Sequence, residues 1–234
     1  MTEVPRALVS IIVPVFNEVG TVAAVIDRLL TIEFSAPREI IVVNDGSTDG
    51  TRAALDNLPR NPVLHIVHAD RNHGKGHAVR LGFAQARGTV IAIQDADLEL
   101  DPAQLPDLVG PVLRGEADAI YGSRFLQPTT APFMTVAGNK ALTMLTNLLF
   151  GSSLTDMETC YKVMRGEIAK SLALSANRFD IEPEITARLL LGGHRIVERP
   201  VRFDARSRMA GKKMRWRDGW MALRVLIAQR LRGR

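Results

Sequence analysis

The chain has 234 residues, 46% hydrophobic and 24% charged, a balance that excludes a disordered polymer and fits a soluble α/β domain. The one cysteine, Cys160, excludes an intramolecular disulfide framework and fits a reducing, cytoplasmic compartment, with the thiol expected as a buried small side chain. The net charge of +5 is uneven: residues 199–234 hold twelve Lys/Arg against two Asp, a local +10 that leaves −5 on the rest, so an anionic partner is expected for the tail.

The opening MTEVPRALVSIIVPVFNE does not read as a signal peptide, and no apolar run reaches the ~20 residues of a bilayer span. Residues 8–15 (LVSIIVPV) form a short β-branched run, the mark of a buried strand. A helix over 21–30 follows, then a second buried strand at 39–43 (EIIVV) ended by Asn44-Asp45-Gly46. Ser47-Thr48-Asp49 is expected to cap a helix starting near Thr51. The pattern continues with a strand at 63–68, a helix at 75–86, a strand at 89–94, a helix at 102–114 and a strand at 119–122. This alternation predicts βαβ units and a mainly parallel, Rossmann-like sheet with ligand groups at the carboxyl ends of the strands. Beyond it, helices are expected at 139–150 and 182–191 and a strand at 196–203. No repeat or linker divides the chain, so one domain is read, with a nucleotide-binding half at 8–125 and an acceptor half at 126–234.

Five groups of residues carry chemistry. Asp95, Asp97 and Glu99 follow an apolar strand at i, i+2 and i+4; an extended backbone would put them on one face, and hard oxygen ligands of this kind suit Mg²⁺ or Mn²⁺. Asp45, at another strand end, could accept hydrogen bonds from a base or ribose. Asn72-His73-Gly74-Lys75-Gly76-His77 is a glycine-rich helix entrance whose amides could approach a ligand; it is neither a dinucleotide fingerprint nor a P-loop. Arg124, after the strand at 119–122, has the planar fork that grips two phosphate oxygens. Finally, Arg206, Arg208, Lys212, Lys213, Arg215 and Arg217 precede a stretch where Trp, Met, Leu and Ile interleave with Arg, as in an interfacial helix. The acidic body and the lack of an aromatic stacking face argue against nucleic acid.

Taken together, IIVPVFNE (11–18), VVNDGSTDGT (42–51), NHGKGHAVRLGFAQARG (72–88), QDADLELDP (94–102), YGSRF (121–125), LTDMETCYKV (154–163) and GKKMRWRDG (211–219) resemble, in order and spacing, the family 2 glycosyltransferases of GT-A fold, in particular the dolichyl-phosphate mannose synthase-like branch. The resemblance implies that Pro14, Phe16, Glu18, Val43 and Asp45 line the nucleotide pocket together with Lys75, Asp95 and Ala96. It implies that Asp97 and Glu99 hold the metal on the diphosphate and that Arg124 contacts phosphate. Arg206, Lys212 and Lys213 would belong to a loop closing over donor and acceptor. Glu99 stands where relatives often carry Gln, and 128–133 (PTTAPF) lacks the basic residues that relatives place before the central helix.

The expected reaction is inverting transfer of a hexose, from GDP-mannose or UDP-glucose, to a polyprenyl phosphate at the cytoplasmic face of a membrane. Asp156 has two readings: a base if the acceptor is a hydroxyl, or an orienting group if it is a phosphate. A soluble transferase with a small hydroxyl acceptor is the first alternative. A nucleotidyltransferase would need a glycine-rich activation loop that IIVPVFNE does not supply, and a non-catalytic binding module would not need Asp95, Asp97 and Arg124 together.

Overall fold

The computed structural model describes residues 7–205 and 216–232. Seven strands form one sheet in the order β3-β2-β1-β4-β6-β5-β7. They are β1 (Val9–Val15), β2 (Arg38–Asn44), β3 (Leu64–His68), β4 (Val90–Ile93), β5 (Ala119–Ser123), β6 (Lys162–Arg165) and β7 (Ile196–Pro200). All pairings are parallel except those of β6, which runs antiparallel between β4 and β5. The helices are α1 (Val22–Thr31), α2 (Thr51–Asp56), α3 (Lys75–Gln85), α4 (Leu105–Leu113), α5 (Phe133–Phe150), α6 (Gly166–Ser171), α7 (Ile181–Leu191) and α8 (Trp216–Arg232).

The sheet is buried on both faces, which explains why its strands read as continuous apolar runs. On one face Ile11, Val13 and Val15 of β1 pack with Val22, Val25, Ile26 and Leu29 of α1 and with α4. On the other, Ile12, Ile41 and Val43 pack with Ala78, Val79 and Phe83 of α3 and with α7. Each fully buried Ile or Val contributes about 1.5–3 kcal/mol of hydrophobic free energy. Gly82 lets α3 lie this close: a Cβ there would fall 2.3 Å from Cγ2 of Ile12.

Strand order reverses between β1 and β4, because the first crossovers lead towards β3 and the later one returns past β1 to β4. Loops leaving the carboxyl ends of neighbouring strands diverge at such a point and open a crevice. Pro14 is tolerated in a central strand for the same reason. The Gln94 amide bonds the Ile12 carbonyl, and the β1–β4 ladder ends at Ile12↔Ile93, so the missing N–H two residues on faces no partner strand.

The second half departs from the sequence expectation in three places. α5 starts at Phe133, not 139, immediately after Pro132, whose ring presets the helix entry. β6 and the short α6 were not expected: four residues, KVMR, offer no periodicity to read. The last strand stops at Pro200 rather than 203. α8 packs on α7 and α5 through Leu226, Ala187 and Met157.

Candidate active site

The loop after β1 is held in a left-handed turn at Asn17, φ 54°. Asn17 Oδ1 accepts from the Thr48 amide at 2.8 Å, and the Asn17 and Glu18 amides donate to Ser47 Oγ and Thr51 Oγ1, both at 2.9 Å. VPVFNE and NDGSTDGT therefore act as one unit at the ends of β1 and β2. The expected cap at Ser47–Asp49 is thus mostly a loop–loop clasp: the N-cap is Gly50, and only Asp49 reaches the Thr51 amide, at 3.1 Å.

Asp45 is buried, with 2% of its surface exposed. Its carboxylate accepts from the amides of His73, at 3.1 Å, and Gly74, at 2.6 Å. The glycine-rich entrance is thereby corrected: two of its amides are turned onto Asp45 rather than towards a ligand. Gly46, at φ +65°, keeps the contact tight, since a Cβ would meet the Arg71 backbone at 2.2 Å.

Lys75 also differs from its expected place. Its ammonium is enclosed between Asp95, at 2.8 and 3.0 Å, and Glu182 of α7, at 2.9 Å. Glu182 binds in turn the fully buried Lys162 at 2.6 Å. Burial alone would lower the Lys75 pKa; the carboxylates of Asp95 and Glu182 outweigh it and hold the ammonium charged well above its ordinary range. Lys75 thus ties Asp95 to Glu182.

After β4 the backbone does not stay extended. Asp97 Oδ1 accepts from the Glu99 amide at 3.1 Å and Leu98 takes a φ of 61°. The single carboxylate face expected for Asp95, Asp97 and Glu99 is therefore broken: Asp95 turns to Lys75, while Asp97 and Glu99 stand half-exposed on the turn. Among the described residues no group of three His/Cys/Asp/Glu side chains is placed to hold a metal. Two carboxylates completed by substrate phosphates and water are the usual donor set of Mg²⁺, so Asp97 and Glu99 fit it. Val43 and Ala96 bury their side chains in the two cores, which leaves only backbone for a nucleotide. Pro14 sits in register with Val43.

Arg124, directly after β5, meets Asp156 in a fork: Nε–Oδ2 and Nη2–Oδ1 are each 2.7 Å, and the Arg124 amide adds a third bond at 2.9 Å. Asp156 is fully buried. Its own amide and that of Thr155 donate to Glu198 of β7, at 2.9 and 2.8 Å. The guanidinium also lies over the rings of Phe125 and Phe203, 5.5 and 5.4 Å from their centroids. Asp156 thereby holds the Arg124 side chain by both prongs and its backbone amide. Cys160 is buried, and burial pushes its thiol well above the usual range, so it is not a nucleophile. Arg206, Lys212 and Lys213 lie outside the described residues.

Sequence reading missed Glu158, Lys162, Glu182 and Glu198. LTDMETCYKV marked the stretch holding the first two, but Glu182 and Glu198, which pair with Lys162 and with the Thr155 and Asp156 amides, lie on α7 and β7, and no local period links them.

The sequence model described as Glycosyl transferase family 2 matches residues 10–172. The chain is 31% identical over 207 residues to the dodecaprenyl-phosphate galacturonate synthase of Rhizobium johnstonii, covering 87% of this chain and 61% of that protein. It is 30% identical over 227 residues to the polyprenol monophosphomannose synthase of Mycolicibacterium smegmatis, covering 90% of this chain and 84% of that one. In three dimensions it is similar to glucosyl-3-phosphoglycerate synthase of Mycobacterium tuberculosis in complex with Mn²⁺, UDP and phosphoglyceric acid, with a TM-score of 0.73, 20% identity, and coverage of 98% of this chain and 78% of that one. A family match over most of the chain and an open α/β sheet whose order reverses between β1 and β4, with Asp95, Asp97 and Glu99 after β4 and Arg124 after β5, agree: the chain belongs to glycosyl transferase family 2.

Proposed function

We propose that the protein transfers a hexose, with inversion, from a nucleoside diphosphate sugar to a polyprenyl phosphate. The observation that carries the reading is the Arg124–Asp156 fork, whose guanidinium lies over Phe203 while the neighbouring Asp204 amide donates to the Glu99 carbonyl of the acidic turn, in a chain whose relatives above are named for polyprenyl-phosphate products. In this reading the β1 and β2 loops, with Phe16, Glu18 and Asp45, receive the nucleoside, and Asp95 is set in place by Lys75. Asp97 and Glu99 would hold Mg²⁺ or Mn²⁺, which supplies charge neutralisation on the leaving diphosphate.

Nε and one Nη2 hydrogen of Arg124 serve Asp156, so Nη1 is the edge offered to the departing phosphate. Its charge is fixed before the bond breaks, which is where preorganised electrostatics are most effective. A phosphate acceptor, with a second pKa of ~6, is already ionised and needs positioning rather than a base. The fork on Asp156 supports this acceptor over a hydroxyl, because a base there would first have to release Arg124.

Membrane docking belongs to the same reading. α5 packs Leu142, Leu145, Leu149 and Phe150 inward and exposes Met134, Ala137, Lys140, Ala141, Met144 and Leu148, so apolar side chains also face outward. Leu148 is 81% exposed, and Trp220, Ile227 and Leu231 of the adjacent α8 are exposed too. Among the described residues no helix is long and apolar enough to cross a membrane. An apolar stripe in a chain whose residues 199–234 carry a charge of +10 suits an anionic bilayer surface. The test is incubation with labelled GDP-mannose or UDP-glucose, Mg²⁺ or Mn²⁺ and a polyprenyl phosphate. Label entering the organic phase, and lost with chelator, supports the proposal; label staying wholly in the aqueous phase refutes it.

A further inference from the structure

The segment 155–159 lies between α5 and β6, beside Arg124, and its other polar side chains are all tied down. Thr155 Oγ1 meets Ser123 Oγ at 2.6 Å and Glu198 Oε2 at 2.9 Å. Asp156 holds Arg124, and Thr159 Oγ1 donates to the Gly122 carbonyl at 2.6 Å. The backbone is pinned as well: the Met157 amide donates to Thr143 Oγ1 at 3.0 Å, and the Met157 and Thr159 carbonyls take the Lys162 ammonium. Glu158 is the exception. Its Oε1 is buried and has no hydrogen-bond partner among the described residues.

Glu158 as a whole is partly exposed, but an ionised carboxylate with one buried, unsatisfied oxygen is disfavoured, and packing alone does not require one. A rigid segment that presents an unsatisfied acid next to the arginine of the site is built for a ligand. We infer that Glu158 serves the acceptor side of the site as a neutral carboxylic acid that donates a hydrogen bond to the anionic acceptor, so that ionising Glu158 weakens acceptor binding. The inference rests on the lipid-phosphate reading above.

The surroundings bear this out. Burial pushes the Glu158 carboxyl up to about 7; Lys162 at the start of β6 pulls it down, Glu182 of α7 pushes it up, Arg124 after β5 pulls it down, and Asp156 pushes it up. Below that value the acid carries its proton and can donate to a phosphate oxygen. Above it, a second negative charge faces the acceptor, and neither Arg124, forked on Asp156, nor Lys162, paired with Glu182, hydrogen-bonds the buried Oε1 of Glu158.

The test is the acceptor KM of the full chain with a short polyprenyl phosphate, at saturating donor, for wild type and E158Q. The range runs from about pH 6.5 to about pH 8, above the ~6 of the acceptor's own second pKa. The wild-type KM is expected to rise roughly tenfold while donor KM stays level. E158Q, which stays neutral and keeps an N–H to donate, should vary less than about threefold and bind acceptor better than wild type at the alkaline end. A rise retained in E158Q overturns the inference. So does a loss of turnover of about 100-fold or more at every pH, which is the behaviour of a base. If E158Q folds poorly, the wild type alone decides: acceptor KM rising against a level donor KM supports the inference, and both level overturns it. Wild type that transfers nothing to polyprenyl phosphate at any pH refutes the acceptor reading itself.

Discussion

Arg124 and Asp156 share two hydrogen bonds of 2.7 Å, one on each prong of the guanidinium, and the carboxylate that makes them is wholly inaccessible to solvent. Such a fork fixes both direction and charge, which a lysine on a flexible stem does not. Arg124→Lys should lower kcat about 100-fold, the scale of losing one preorganised donor to developing charge. Asp156→Asn should fall roughly 10-fold, because the guanidinium stays but is held less firmly. Steady-state kinetics at saturating donor and acceptor check both. If raising the pH restores Asp156→Asn but not Arg124→Lys, proton removal is the task of Asp156 and the positioning role is wrong.

Asp97 and Glu99 differ in how the turn uses them. Asp97 bonds the Glu99 amide and so shapes the turn that carries both. Asp97→Ala should reduce turnover by about 1000-fold and abolish Mn²⁺ binding in the presence of a nucleoside diphosphate; Glu99→Gln, which keeps an oxygen donor, should cost about 10-fold. Mn²⁺ titration followed by electron paramagnetic resonance checks the binding apart from the activity. Unaltered Mn²⁺ binding in Asp97→Ala would remove the metal assignment.

Lys75 joins Asp95 to Glu182, and Glu182 joins it to Lys162. Removing one member strands the charges of the others. Lys75→Met should therefore destabilise the fold by about 3 kcal/mol, at the low end for a broken buried pair because Asp95 keeps some access to water. Lys75→Met/Glu182→Met should lose less than the sum of the single changes. Urea unfolding of the four proteins measures this coupling; strictly additive losses would show that the bridge carries no energy.

At the amino-terminal ends of β1 and β2, Glu39 is buried and accepts from Ser10 Oγ, at 2.6 Å, and from the amide and Nε of Arg87, at 2.7 and 2.8 Å. Burial pushes its pKa up, but the Ser10 and Arg87 hydrogen bonds outweigh this and hold it below the ordinary 4.5. A depressed folded-state pKa gives stability that is present above the unfolded value and lost as pH falls through the folded one. Thermal unfolding should show Glu39→Gln about 2–3 kcal/mol less stable than wild type near neutral pH, with the gap narrowing below about pH 4.5. A gap independent of pH would mean that the carboxylate charge is not what stabilises these strand ends.

Much of the first half was legible because doubly covered parallel strands leave continuous β-branched runs such as SIIVPV and EIIVV, and because turn residues punctuate them. The site motifs were legible as positions but not as contacts. Asp45 and the glycine-rich segment were both singled out, yet only the fold shows that one satisfies the other. The resemblance put Lys75 in the nucleotide pocket; its ammonium is shared between Asp95 and Glu182, the latter more than a hundred residues later. β6 was invisible because four residues inserted antiparallel between two strands carry no period of their own.

The most direct test of the central claim compares two acceptors of equal chain length, a polyprenyl phosphate and the corresponding polyprenol, under saturating nucleotide sugar with Mg²⁺ or Mn²⁺. The account predicts a glycosylated phosphate that is identifiable by mass spectrometry, with no product from the alcohol, because Asp156 is locked to Arg124 and cannot serve as its base. Transfer to polyprenol, or to a soluble hydroxyl compound, with none to the phosphate would contradict it.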